Sequence, residues 1–430
     1  MSGMKVTSII LLAGLLMMTA APASADVYWS GYLQGLYGGR LDNDNPTATE
    51  LTAAETRLQL RLEHFGDRGE LFARMDFVYD GADSSEYDFE LREGYFKFRL
   101  GSAFDVKVGR QILTWGTGDL IFINDNFAKD YRSFFIGRDD QYLKAPQDAI
   151  RIEYYSSIAN LTFVWTPQFE PNRLPTGRRL SYYNPMAGGI VGEGFYFDPP
   201  APASKFENGE FSARLQRRLG NFTSALYAYV GFYKNPTGVT MLPSDIPGDT
   251  TMTALPVYPE LSVYGASVRG PIMGGIVWIE GGYLDSRNDP DGDDPLMPNS
   301  SVTGLAGFER QIATDLTANV QWQADYMIDH DKYAAALEQQ GIHVRDEVRH
   351  LLTSRITKQM MNQTLTLSAF GFYSPTDEDG YGRFSVEYKY TDEVTLAAGG
   401  NLFDGNYEVT EFGQFRLNDN VWLKMTYGFF

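Results

Sequence analysis

Arg57 and Arg61 alternate with Leu58, Leu60 and Leu62, and the same opposition of basic and apolar positions recurs along the chain. Arg74, Lys107, Arg151, Arg214, Arg218, Arg349, Arg355, Arg383, Lys389 and Lys424 all fall on the polar parity of their segments. Acids assigned to that parity are fewer: Glu63, Glu70, Asp76, Asp105, Glu153, Asp325 and Glu387. If these side chains line a lumen, their chemistry is electrostatic, because rings of Arg and Lys lower the barrier for anions and raise it for cations. The competing reading is a set of lumen salt bridges that stiffen the wall, since charges at membrane depth normally pair. Arg110 is out of phase. It shares parity with Phe104, Val106 and Val108, so a bulge at Gly109 is expected to turn it inward, away from lipid.

A second group of charges lies in a long loop, residues 116–147. Lys129, Arg132, Arg138, Asp139, Asp140 and Lys144 share it with Phe122, Phe127, Tyr131, Phe134 and Phe135. Exposed loops are rarely so aromatic, so part of it is expected to be packed. It either folds into the lumen and narrows a channel, or packs on neighbouring loops at the rim. Residues 168–205, with Arg173, Arg178 and Arg179, are expected to cover part of the mouth.

Other chemistries find little support. The stretch NDPDGDD, 288–294, has carboxylates that suit a hard cation, but it lacks the spacing and the distal Glu of an EF-hand loop. It reads as a solvated acidic loop, and no metal or cofactor is assigned. Four histidines, His64, His330, His343 and His350, occur without an H-E-x-x-H or G-x-S-x-G stretch. No enzyme is expected, although a Ser or Asp meeting His across strands would be invisible in sequence, which keeps an outer-membrane hydrolase open. A sheath around a periplasmic partner is a third class. Zero cysteines remove disulfides, thiolate metal sites and haem carried through C-x-x-C-H. A net charge of -19 argues against nucleic acid as a partner.

The elements that must position these residues follow from period and length. Leu316, Ala318, Val320, Trp322, Ala324 and Tyr326 alternate with Thr317, Asn319, Gln321, Gln323 and Asp325. Such runs of about ten residues, with one apolar and one polar face, are the signature of membrane-barrel strands. Tight turns are read at 65–70, 100–105, 155–160, 219–222, 269–271, 311–315, 358–363 and 390–395, with longer polar loops between the hairpins. Residues 404–420 are assigned to an external loop, because a single-chain bacterial barrel normally has an even strand number. A change of phase in 87–100 predicts a bulge near Glu93 and Gly94. The 27 Tyr and 28 Phe fit the aromatic girdles of such barrels. The expected fold is all-β: a single transmembrane antiparallel β-barrel of about 18 strands, with short periplasmic turns and long extracellular loops.

The first 25 residues read as a Sec-type signal peptide: Lys5, an apolar run from Val6 to Ala20, and small residues Ala23, Ser24 and Ala25 before the cleavage point. The barrel then covers 26–430, in the outer membrane. Its last segment, NVWLKMTYGFF, is expected to pair with VYWSGYLQGLY, 27–37, and close the wall. Odd-numbered Phe429 falls on the lipid-facing parity and Phe430 does not. Alternation begins at Val27, so no plug domain ahead of the barrel is expected.

GRQILTWG (109–116), LREGYFKFRLG (91–101), FEPNRLP (169–175) and GGNLFDG (399–405) together resemble a poorly characterised family of proteobacterial outer-membrane porins, neighbours of the alginate-export porins. The resemblance implies a monomeric single-chain barrel carrying small solutes, with export of an anionic polymer as the alternative. The aromatic final strand resembles the signal that hands such chains to the barrel-assembly machinery. The remaining implied partners are outer-membrane lipid and lipopolysaccharide.

Overall fold

The computed structural model describes residues 27–42, 44–83, 86–243, 252–338 and 344–429. The expected signal peptide, His343 and Phe430 lie outside the described residues. The wall strands are Val27–Arg40, Leu51–Gly66, Gly69–Asp80, Tyr87–Leu100, Phe104–Ile112, Pro146–Tyr155, Asn160–Thr166, Glu210–Leu219, Phe222–Phe232, Glu260–Ile272, Gly275–Ser286, Ser301–Ala313, Leu316–Met327, Val348–Met360, Leu365–Ser374, Asp379–Lys389, Val394–Gly405 and Asn420–Phe429. They form one 18-stranded sheet in which each pairs antiparallel with its neighbours in the chain.

The last strand closes on the first, from Gly31 opposite Phe429 to Arg40 opposite Asn420. Closure pairs every wall strand on both sides, so no backbone edge meets the lipid. The architecture is that of an outer-membrane barrel. Val421, Leu423, Met425 and Tyr427 are exposed on the outside, whereas Trp422 is buried and Lys424 half-buried inside. Period-two alternation therefore sorts side chains between a lipid face and an interior. Aromatic cross-strand pairs such as Phe77 with Phe89 and Tyr79 with Tyr87 lie on the outer face.

Of the loop expected at 404–420, residues 406–419 hold a short 3-10 turn at Gly413–Phe415 rather than a strand, while Asp404, Gly405 and Asn420 belong to the flanking strands. The turn read at 269–271 is displaced. The strand runs on through Pro271 to Ile272, and the chain reverses at Met273 and Gly274, whose φ values are 51° and 73°. Two consecutive left-handed residues make the turn that matches strand twist in a two-residue hairpin.

The predicted bulge in 87–100 exists, one residue early. Arg74 faces Glu93 and Met75 faces Leu91, so Arg92 is the extra residue. The bulge predicted at Gly109 does not form. Register runs unbroken on both sides of it, from Lys107 opposite Arg151 to Gln111 opposite Gln147. Arg110 thus stays on the outer parity, close to the loop end of its strand, where Asp148 at 3.3 Å compensates its charge. An ion pair near the rim removes the cost that the bulge was expected to avoid.

The core of the molecule is inside the barrel. Phe134, Phe135 and Ile136 of the long loop cluster with Leu351, Tyr381 and Phe403 of the wall and with Phe412 and Phe415 of the last loop.

Candidate functional site

The loop after Ile112 enters the interior and touches the wall in two excursions. In the first, Glu280 accepts from the Thr117 amide at 2.5 Å and hydroxyl at 2.7 Å, and from the Asn124 amide at 3.1 Å. Asp119 then accepts from Arg355 at 2.8 and 3.1 Å and from Asn319 at 2.8 Å. Between these anchors Leu120 holds φ at 60°, a conformation costly for a bulky residue and sustained here by its bonded neighbours.

The second excursion starts with the helix Tyr131–Phe135, capped by Asp130, whose carboxylate accepts from the Ser133 amide. Arg138 meets Glu55 at 2.6 Å. Asp139 pairs with Lys424, and Asp140 with Arg383 at 2.8 Å. Tyr142 bonds Tyr32 at 2.5 Å and donates to Asp76 at 2.9 Å. Arg57 and Arg92 lie against the Tyr142 ring, at 4.3 and 4.6 Å from its centroid.

Most wall cations expected in the lumen are neutralised by carboxylates. Arg57, only 3% exposed, sits between Glu55 and Asp76. Arg74 meets Glu93 at 2.9 Å, Arg151 meets Glu153 at 2.5 Å, and Arg61 meets Glu63. Arg349 pairs with Asp377 and with Glu411 at 2.8 Å. Arg218 is exposed at the turn end and donates to the Gly220 carbonyl at 3.1 Å. Lys107 and Arg214 differ. Lys107 lies 3.7 Å above the Tyr95 ring, and Arg214 lies 5.4 Å from the Trp115 ring. Neither forms an ion pair among the described residues.

Of the loop charges, Lys129 is buried against Asp125 at 2.9 Å and against the Phe127 carbonyl. Burial pushes its pKa down, against the pull of Asp125. Arg132 is 3.9 Å from Asp130. Burial alone would raise the Asp130 carboxyl, but Arg132, Arg173 and Arg138 hold it below the usual carboxylate range. Above this loop, residues 167–209 cross toward the first hairpins. Arg173 meets Glu90 at 2.6 Å, Arg179 meets Asp80 at 2.6 Å, and Arg178 meets Glu193 at 3.1 Å.

Arg92, Glu280 and Arg269 are among the interior residues that escaped the sequence reading. Arg92 bonds the Gln141 and Lys144 carbonyls, both at 3.0 Å. Glu280 is the anchor of the first excursion. Arg269 lies 5.3 Å from the Trp278 ring and makes no ion pair among the described residues. Its strand parity was visible only once the turn moved to Met273. His350 stacks on Trp322 on the outer wall, at 5.9 Å.

No family model matches the chain, and no curated protein matches it in sequence. In structure the barrel is similar to Pseudomonas aeruginosa OccK2 (OpdF) in complex with glucuronate, with TM-score 0.56 and 10% identity over 94% of this chain and 98% of that one. It is also similar to Pseudomonas aeruginosa OccK3 (OpdO), with TM-score 0.55 and 12% identity over 94% and 96%. Acinetobacter baumannii OccAB3 gives TM-score 0.54 and 8% identity over 94% and 99%. At these identities the likeness is one of fold.

Proposed function

We propose that the protein is an outer-membrane channel for passive diffusion of small solutes, with anions preferred, and that the loop between Ile112 and Pro146 forms its constriction. One observation carries this reading. Among the described residues, Lys107, Arg214 and Arg269 face the interior without a carboxylate partner, on a stretch of wall where the loop makes no ion pair. Elsewhere the loop's acids dock on the wall's cations, so those charges cancel. Uncompensated cations along a narrowed passage favour anions. The acidic balance of the whole chain does not oppose this, because exposed loop acids are screened within about 8 Å at physiological salt.

The glucuronate in the OccK2 complex is a small carboxylate solute, which is consistent with the same class here. An interior filled by loops suits a small solute better than an exported polymer. Recognition of the closing strand by the assembly machinery, and contact with lipopolysaccharide, belong to the same proposal.

Reversal potentials in planar bilayers under a potassium chloride gradient test it. Anion preference is expected, reduced in a Lys107→Gln, Arg214→Gln, Arg269→Gln variant. Cation preference in the wild type, or no conductance, would overturn the reading.

A further inference from the structure

Beneath the loop, on the side away from Arg214, lies a cavity of about 290 Å³. Its size is just below the range of small-molecule sites, roughly 300–1,000 Å³. Asp139, Asp140 and Leu120 form the roof. The lower part is built from inward residues of adjacent strands: Thr357, Thr366, Ser368, Ser385 and Glu387.

The two tiers differ in chemistry. In the upper tier each cation already has an acid: Arg355 has Asp119, Arg383 has Asp140, and Lys424 has Asp139. No charge is left there to hold a free carboxylate. In the lower tier none of the four hydroxyls has a hydrogen-bond partner among the described residues, and none is sealed from solvent. Glu387 likewise makes no ion pair among the described residues. The register sets Thr357 opposite Ser368, Ser368 opposite Ser385, and Thr366 opposite Glu387. Facing Cβ atoms are then about 4.5–5.5 Å apart, a spacing that alternate hydroxyls of a sugar ring can bridge.

We infer that this cavity is a subsite for a neutral polyhydroxylated solute of monosaccharide size, held by Thr357, Thr366, Ser368 and Ser385 and by Glu387 as an acceptor. Free hydroxyls donate and accept, and an ionised carboxylate accepts from the solute's hydroxyls in strong charge-assisted bonds. The same carboxylate repels an anion, so the cavity selects by hydroxyl pattern where the opposite wall selects by charge. The inference rests on the interior being a solute path, since only a solute that enters the lumen reaches the subsite.

The test is equilibrium binding of glucose to the full chain in detergent micelles, by calorimetry, beside conductance in bilayers. Glucose affinity should fall about tenfold in a Thr366→Val, Ser368→Ala variant, as expected for losing two hydrogen bonds of ordinary strength. Glu387→Gln should weaken it through loss of the charge-assisted bonds while leaving the wall intact. Ion conductance in the Thr366→Val, Ser368→Ala variant, which changes no charge, should match the wild type. Undetectable glucose binding in the wild type, or unchanged affinity in both variants, would overturn the subsite. Glucose binding without any conductance would instead support the subsite and overturn the channel reading.

Discussion

Asp139, near the end of the interior loop, is ion-paired with Lys424 on the closing strand, although the two are separated by 285 positions in the chain. The Lys424 side chain is 8% exposed, so its ammonium is largely shielded from water, whereas Asp139 is about a third exposed. Losing one member leaves a buried charge without compensation, a cost of about 1–3 kcal/mol or more. Asp139→Asn is therefore expected to loosen the second excursion of the loop. Single-channel recordings should give a larger or noisier conductance, with the Asp139→Asn, Asp140→Asn variant more affected than either single change.

Arg57 and Arg214 provide a matched comparison, both inward-facing arginines on wall strands. Arg57 is enclosed by Glu55, Asp76 and Tyr142. Arg57→Met should destabilise the barrel by about 3–5 kcal/mol through the acids left behind, with little effect on selectivity. Denaturant unfolding of the micelle-bound protein would measure the loss. Arg214→Gln should do the reverse, shifting the reversal potential toward cations while leaving the unfolding midpoint near the wild-type value.

Period two made the wall legible, because lipid outside and water inside impose opposite chemistry on successive residues. It placed Arg57, Arg151, Arg355 and Arg383 inward, and the even strand number correctly removed a strand at 409–417, although the loop there is 406–419 rather than 404–420. It could not say which inward charge is cancelled. That depends on the path of the Ile112–Pro146 loop, whose Asp119 reaches Arg355 across more than two hundred positions. Local irregularity hid the rest. The extra residue of a bulge carries Arg92 to an inward position that alternation does not predict, and Gly270 with Pro271 imitates a turn inside a strand, masking Arg269.

Gly137 is held at φ 90°, and a Cβ there would lie 2.5 Å from Cδ1 and Cγ of Trp422. Left-handed backbone alone costs an ordinary residue about 1–2 kcal/mol. Gly137→Ala adds a collision with a ring that is itself 3% exposed. The loop tip should be displaced from the Trp422 ring. Acrylamide quenching of tryptophan fluorescence should rise, and conductance should increase together with it. Quenching at the wild-type level would mean that the ring yields and the loop stays.

Acid should weaken the loop through Asp130. Its carboxyl is buried, which by itself raises the pKa, but Arg132, Arg173, Arg138 and the Ser133 amide hold it below the ordinary carboxylate value. The sign follows from linkage: a carboxyl depressed in the folded state contributes stability that is complete above its unfolded pKa of about 3.9 and is lost as pH falls through the folded value. Near neutral pH the contribution is constant, so conductance should be flat there. Below about pH 4 the cap of Tyr131–Phe135 should fail and conductance should change, provided the wall stays intact. Asp130→Asn keeps an acceptor for the Ser133 amide but not the charge. That variant should show at neutral pH part of the looseness that acid produces in the wild type, and its own acid response should be shallower. An acid response identical in both proteins would assign the effect to another carboxylate.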